Sequence, residues 1–346
     1  MTVGAGQGHR GRLSLVACES GRAFAARESE NLVEIMRQED GEAHPVIRQA
    51  REVQFANGEI KTVIEESLRG DDVYVIQCVD DPLSSRSVND NFMALLTAIN
   101  AVYQSDPDFI TAVIPQFPYS RQERKKAREP ITARLVAAAL EGAGANRVLT
   151  LDIHAEAIEG FFQRAILEDL HASKEIIAFL RREVPTENLC VVAPDTAGAH
   201  MARFYANRLN CPFAVVDKAR DYTRGSAIES MRLVGEVRGK RIILPDDMVA
   251  TGGTLLNACR LLREKGATEI YAVCSHPFFN GNAVEKLDRA YHEEQLFKLI
   301  VGTDAVWRGE DFIRGHPWYR EVSVAGLFAR VIFNINRRRS VSDLLK

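Results

Sequence analysis

Much is missing from this chain, and each absence narrows its function. No apolar run approaches the length of a bilayer span, so the sequence predicts no membrane partner. Six cysteines (Cys18, Cys78, Cys190, Cys211, Cys259 and Cys274) stand singly, with no C-x-x-C pair. That spacing argues against a disulfide framework and for reduced, mostly buried thiols in a cytoplasmic protein. A net charge of only −3 gives no general attraction toward nucleic acid or anionic lipid. No letter-level repeat is present. Residues 1–11 are rich in glycine and polar side chains and lack the apolar centre of a signal peptide; a flexible tail is expected there. The Gly-Lys-Ser/Thr ending of a P-loop is also absent.

What is present describes a globular α/β protein. At 346 residues the chain is long enough for two domains, and 46% hydrophobic with 26% charged residues is an ordinary soluble composition. Apolar runs at Leu13–Cys18, Val73–Cys78, Ile110–Ile114 and Arg147–Leu151 predict buried strands, with helices over 22–37, 90–103 and 130–143 between them. Asn57-Gly58 between alternating residues predicts a hairpin. The rhythm recurs with strands at 189–193, 213–217, 241–245, 270–275 and 322–324, and helices at 172–182, 199–209, 255–265 and 327–335. Two similar α/β domains with mainly parallel sheets follow, divided as 12–165 and 166–346, with sites at strand carboxyl ends.

One stretch organises the chemistry: Arg241-Ile-Ile-Leu-Pro-Asp246-Asp247-Met-Val-Ala250-Thr251-Gly252-Gly253-Thr254. It reads as a strand, two adjacent carboxylates, a turn and a helix start. The glycines let the backbone approach an anion, the threonines offer hydroxyls, and the helix amides point at a phosphate. Asp246 and Asp247 would repel that phosphate, so they are assigned to vicinal hydroxyls or a metal. A sugar phosphate satisfies both halves.

Four further stretches follow strands. Tyr119-Ser-Arg121-Gln122-Glu-Arg124-Lys125-Lys126 carries four cations; alone it reads as a solvated charge run, but its place at a strand end favours phosphate or nucleobase contact. Asp152-Ile-His154-Ala-Glu156-Ala-Ile-Glu159 surrounds one imidazole with carboxylates. His171, His200 and His276 have no comparable sequence setting. Pro194-Asp195-Thr196-Ala-Gly198 is either a helix cap or a diphosphate or metal site. From Asp217 to about Glu229 a loop is predicted, carrying Lys218, Arg220 and Arg224.

In this order the stretches resemble the ribose-phosphate diphosphokinase (phosphoribosyl-diphosphate synthetase) family, and the Asp246 loop resembles that of the type I phosphoribosyltransferase fold. Phe55-Ala-Asn57-Gly58-Glu59 is similar to the family's Phe-x-Asp/Asn-Gly-Glu element, Tyr119 to Lys125 to Tyr-x-Arg-Gln-Asp-Arg-Lys, and Asp152-Ile-His154-Ala with Gly160-Phe161-Phe162 to Asp-Leu-His-Ala…Gly-Phe-Phe. Pro194-Asp195, Lys218-Ala-Arg220 and Ser340-Val-Ser also have counterparts. The chain departs from the family at Pro245, Ala250, Ala197, Met201 and Ala219, and in the segment 304–318, which holds both tryptophans.

The resemblance implies a fold and a reaction. Two type I phosphoribosyltransferase-like domains would transfer the β,γ-diphosphoryl group of ATP to the C1 hydroxyl of ribose 5-phosphate. Asn57, Gly58, Glu59, Arg121 and Gln122 would bind ATP. Asp246, Asp247, Ala250, Thr251, Gly252, Gly253 and Thr254, with Arg220, would bind ribose 5-phosphate. His154 and Asp195 would hold Mg²⁺, and Lys218 and Arg220 would be catalytic. The family also implies self-association, as a hexamer, with ATP contacts crossing subunits. Two alternatives stay open: a catalytically silent regulatory relative, which would lose the loop cations, and a phosphoribosyltransferase, which would not need the Asn57, Arg121 and His154 stretches.

Overall fold

A computed structural model describes residues 10–41, 43–44, 46–220 and 229–344, the side chains of 218–220 and 229–230 excepted. It divides into two compact units. One holds the chain up to His171 together with Asp304–Trp307 and the segment from Ser323 onward; the other holds Ala172–Thr303 and Arg308–Val322.

In the first unit β1 (Leu13–Ala17) leads into α1 (Arg22–Asp40), then a hairpin of β2 (Ala50–Gln54) and β3 (Ile60–Ile64). There follow β4 (Asp72–Ile76), α2 (Val88–Tyr103), β5 (Phe109–Val113), α3 (Thr132–Ala143), β6 (Arg147–Leu151) and β7 (Ile166–Leu170). Strands β1, β4, β5, β6 and β7 form one parallel sheet in the order β1-β4-β5-β6-β7. Every residue of β4 and β6 is buried, as mostly apolar central strands of a parallel sheet require, with Asp72, Arg147 and Thr150 as buried polar exceptions. A capping box starts α2: the Ser87 hydroxyl accepts from the Asp90 amide, and the Asp90 carboxylate accepts from the Ser87 amide.

The second unit runs α4 (Ser173–Glu183), β8 (Leu189–Ala193), α5 (Ala199–Leu209), β9 (Phe213–Arg220), β10 (Glu229–Val234), β11 (Arg241–Met248) and α6 (Gly253–Glu264). It continues with β12 (Glu269–His276), α7 (Ala283–His292), β13 (Leu299–Thr303), α8 (Glu310–Gly315) and β14 (Tyr319–Val322). The sheet order is β10-β9-β8-β11-β12-β13-β14. All neighbours are parallel except the antiparallel pair β9–β10. Pro245 sits inside β11, where a missing amide would ordinarily break a sheet. It is tolerated because β8 pairs with β11 only over Arg241–Ile243, so the ladder on that side has already ended.

Several expectations need correction. A division after residue 165 cuts off β7, which pairs with β6 and lays Glu168 3.6 Å from Arg147. The segment from Ser323 belongs not to the second domain but to the first unit, which it completes through α9 (Ala325–Asn336). Phe328 of α9 meets Phe24 of α1 edge-on at 5.3 Å, and the Asn336 amide donates to the buried Asp72 carboxylate at 3.1 Å. The last strand lies at Tyr319–Val322 rather than 322–324. Asp217 to Arg220 and Glu229 are strand backbone, not loop, because β9 and β10 pair up to Arg220↔Glu229. Trp307 falls in the first unit and Trp318 in the second, where Trp318 is fully buried and donates its indole N–H to Asp288 at 2.6 Å.

The α1–α9 contact generates a prediction. Phe328 is fully buried. Phe328→Ala should therefore destabilise the first unit by about 3–5 kcal/mol, read as a loss of cooperative denaturant unfolding at the wild-type midpoint. A change below about 1 kcal/mol would show that α9 is dispensable to that core.

Candidate active site

The sugar-phosphate loop is built by β11 and α6. The strand runs three residues beyond expectation, to Met248, so Asp246 and Asp247 lie on strand backbone, Asp246 in register with Cys274. Val249 and Ala250 are then stitched to the next crossover: the Val249 amide donates to the His276 carbonyl at 3.0 Å, and Asn280 donates to the Ala250 carbonyl at 2.9 Å. Gly252 takes φ +73°, a left-handed conformation that favours glycine, and the helix starts at Gly253, two residues earlier than predicted. Gly252 offers no side-chain cap, so the first amides of α6 have no intrahelical acceptor, and with the helix dipole behind them they suit an anion. Thr251 and Thr254 are exposed beside them. The turn has the parts needed to cradle a phosphate.

Carboxylates crowd next to that turn. Parallel pairing of β8 with β11 carries Asp195 to the same sheet edge as Asp246 and Asp247. Burial, then repulsion from Asp247 and Asp195, pushes the Asp246 carboxyl up to about 8. One Asp246 oxygen accepts the Asp247 amide at 3.0 Å. Asp195 accepts the Gly198 amide at 3.0 Å just before α5, but Gly198 is itself the N-cap and the helix has no side-chain cap, so Asp195 braces the turn into α5 rather than capping it.

In the first unit the candidates occupy two places. Asn57, Gly58 and Glu59 form the exposed tip of the separate β2–β3 hairpin; Gly58 has φ +91°, and the Asn57 side chain accepts the Glu59 amide at 3.2 Å. Arg121 and Gln122 follow β5, where Tyr119 turns the chain at φ +59°. Arg121 is exposed and makes no ion pair among the described residues. The Gln122 carbonyl oxygen accepts the Thr132 hydroxyl at 2.6 Å. His154 follows β6. It belongs to the first unit and Asp195 to the second.

His171, which has no distinctive setting in the sequence, gains one in the fold. Its Nδ1 lies 2.9 Å from Asp152 Oδ1, nineteen residues away, because β6 and β7 are parallel neighbours. Asp152 itself is held at φ +40°, unusual for a non-glycine residue, and Asp169 accepts the Ile153 amide at 3.0 Å. The turn that presents His154 is thus clamped on both sides. The hydrogen bond to Asp152 raises the His171 pKa, while burial and the Asp152 charge push Asp169 up to about 7. The backbone of Lys218 and Arg220 stands at the end of β9. Their side chains lie outside the described residues.

No group of three or more His, Cys, Asp and Glu side chains among the described residues forms a ready-made ion cage. The donor chemistry still suits a hard divalent cation. Asp195, Asp246 and Asp247 are oxygen donors whose mutual repulsion a cation would relieve. Such a site, with few protein ligands, would take its remaining oxygens from phosphate and water.

An Asp pair on a central parallel strand, followed by an amide-lined helix start, defines phosphoribosyl chemistry on phosphoribosyltransferase-type α/β domains. Comparison with known proteins narrows the class. Residues 15–144 match the family model for the N-terminal domain of ribose phosphate pyrophosphokinase, and residues 164–312 match that for the phosphoribosyl transferase domain. Ribose-phosphate pyrophosphokinase 1 of Listeria monocytogenes is 40% identical over 293 residues, 84% of this chain and 87% of the relative. Ribose-phosphate pyrophosphokinase 2 of Enterococcus faecalis is 40% identical over 85% of this chain and 87% of its own. The phosphoribosylpyrophosphate synthetase of Mycobacterium smegmatis superposes with a TM-score of 0.81 at 32% identity, covering 94% of this chain and 99% of that one. The chain belongs to the ribose-phosphate pyrophosphokinase family.

The acid cluster carries a pH signature. Because Asp246 has a folded pKa near 8 against an unfolded value near 3.8, its contribution to stability is greatest below about pH 4 and is lost as pH rises through 8. Asp246→Asn should therefore raise the melting temperature of the ligand-free protein by about 2 °C or more at pH 8, by less at pH 5, while abolishing turnover. A melting temperature lowered equally at both pH values would mean that Asp246 is a structural acceptor.

Proposed function

We propose that this protein transfers the β,γ-diphosphoryl group of ATP to the C1 hydroxyl of ribose 5-phosphate. The C1 oxygen attacks the β-phosphorus, the bond from that phosphorus to the α,β-bridging oxygen breaks, and AMP leaves with the oxygen. The observation that carries the reading is the helix start at Gly253 with Asp246 and Asp247 before it, in a chain 40% identical to named ribose-phosphate pyrophosphokinases over most of its length. A regulatory relative or a simple phosphoribosyltransferase is not favoured: both family models match, in order.

Roles follow from chemistry. Amides of residues 252–254 and the Thr251 and Thr254 hydroxyls bind the 5-phosphate, and Asp246 and Asp247 accept from the ribose hydroxyls. Arg121 and Gln122, with the exposed turn Asn57–Glu59, bind ATP, either within one chain or across an oligomer such as the family's hexamer. His154 in the first unit and Asp195 in the second are the residues that would hold Mg²⁺, which would supply charge neutralisation for the polyphosphate. Diphosphoryl transfer asks mainly for alignment and electrostatic stabilisation, which fixed dipoles and Lys218 with Arg220 provide. Among the described residues no helix is long and apolar enough to cross a membrane, and all six thiols are free.

Two measurements test this. Incubation with ATP, Mg²⁺ and ribose 5-phosphate should give AMP and phosphoribosyl diphosphate in equal amounts; accumulation of ADP would overturn it in favour of an ordinary kinase. Lys218→Ala and Arg220→Ala should each lower kcat by about 10²-fold or more with much smaller changes in ATP binding, as expected for groups acting on charge that develops during transfer. Near-normal kcat in both would remove these cations from the mechanism.

A further inference from the structure

The turn that carries His154 leaves β6 with little packing to direct it. Leu151 before it and Ile158 after it are fully buried, but no side chain from Asp152 to Ala157 is, and His154 itself is exposed. Hydrogen bonds must therefore set its course. At its start, three come from the end of β7. The Asp152 amide donates to the Leu170 carbonyl at 2.8 Å, the Ile153 amide donates to the Asp169 carboxylate at 3.0 Å, and His171 Nδ1 meets Asp152 Oδ1 at 2.9 Å. A carboxylate only accepts, so the imidazole donates in that bond. At the far end of the same connection, Glu141 Oε1 accepts the amides of Gln163, Arg164 and Ala165.

Of the three bonds, the one from His171 acts on a side chain rather than on backbone. It holds Asp152, whose φ of +40° turns the chain toward His154. A left-handed conformation at a non-glycine residue persists only where the surroundings over-determine it. The carboxylates of Asp152 and Asp169 also repel each other, and the imidazole opposes that repulsion. The His171 side chain is 42% exposed and that of Asp152 only 12%. Losing the ring therefore opens no core cavity, yet it takes a donor from a carboxylate largely withdrawn from water. The effect of its loss should be confined to the turn.

We propose that His171 is a positioning residue for the transfer reaction: by holding Asp152 it sets the direction in which the turn presents His154 to Mg²⁺. This rests on the metal role proposed above for His154. The test compares His171→Phe, which keeps a ring and loses the donor, with His171→Asn, whose amide can place an N–H where Nδ1 stands. Amide hydrogen exchange, read by mass spectrometry on peptides spanning 152–158 of the full-length protein, should quicken about tenfold or more in His171→Phe and return toward the wild-type rate in His171→Asn. The free Mg²⁺ concentration for half-maximal turnover should rise about tenfold or more in the Phe variant and recover in the Asn variant, with KM for ribose 5-phosphate changed less than about twofold. Both variants should keep the wild-type melting temperature. His154→Ala is the control for the underlying reading: unchanged Mg²⁺ dependence there would overturn the metal role and this inference with it. A wild type that forms no phosphoribosyl diphosphate would overturn the reaction first, and the inference as its consequence. With His154→Ala impaired, three results would each overturn the inference alone: unchanged exchange or Mg²⁺ dependence in His171→Phe, no recovery in His171→Asn, or a Phe variant that melts early or does not fold.

Discussion

Like charge held close together is the constraint on which the second unit depends. Asp195, Asp246 and Asp247 are brought to one sheet edge by parallel pairing, and the sheet cannot relax to separate them because β11 is anchored between β8 and β12. Water would screen such a group of acids; burial does not, and Asp246 answers by holding its proton to about pH 8. The fold thus keeps an arrangement that is unfavourable when empty and favourable once hydroxyls or a cation arrive. Hydrophobic burial along β11 and α6 supplies the stability that offsets it: Ile242, Ile243 and Leu244 are essentially inaccessible, as are Ala258, Cys259 and Leu262.

The same division of labour recurs in the first unit by different means. There the exposed cations after β5 sit on a turn fixed by Tyr119, and the His154 turn is clamped through Asp152 and Asp169. Strained backbone at Asp152 persists because two neighbouring strands over-determine it. In both units, regular strands do the holding and irregular strand ends carry the chemistry.

How much of this could be read from letters depends on whether the deciding contact was local. Leu13–Ala17, Asp72–Ile76 and Arg147–Leu151 are legible because strands buried on both faces are mostly apolar, although Ser14, Asp72, Arg147 and Thr150 are buried in them too. The phosphate turn is legible because its glycines, threonines and acids are contiguous. β7 is not: Ile-Leu-Glu-Asp-Leu reads as polar linker until Arg147 is seen beside Glu168. The β9–β10 hairpin hides behind charged residues, and α7 is short, with small apolar residues at Ala283 and Ala290. His171 acquires its partner only when two strands align, and Gln116 donates to the Ala305 carbonyl only because a late segment returns to an early sheet.

That return has a consequence for biosynthesis. Residues that fill the first core, Phe328 and Ile332 among them, leave the ribosome only after the whole second unit has been translated. Chains growing from the amino terminus ordinarily let an early domain close before the next appears. Here the early sheet must wait with the α1 face that Phe24 shares with α9 uncovered, a window during which a holdase or a neighbouring nascent chain can reach it. The order of synthesis and the order of completion are reversed, so the second unit is the one able to close first.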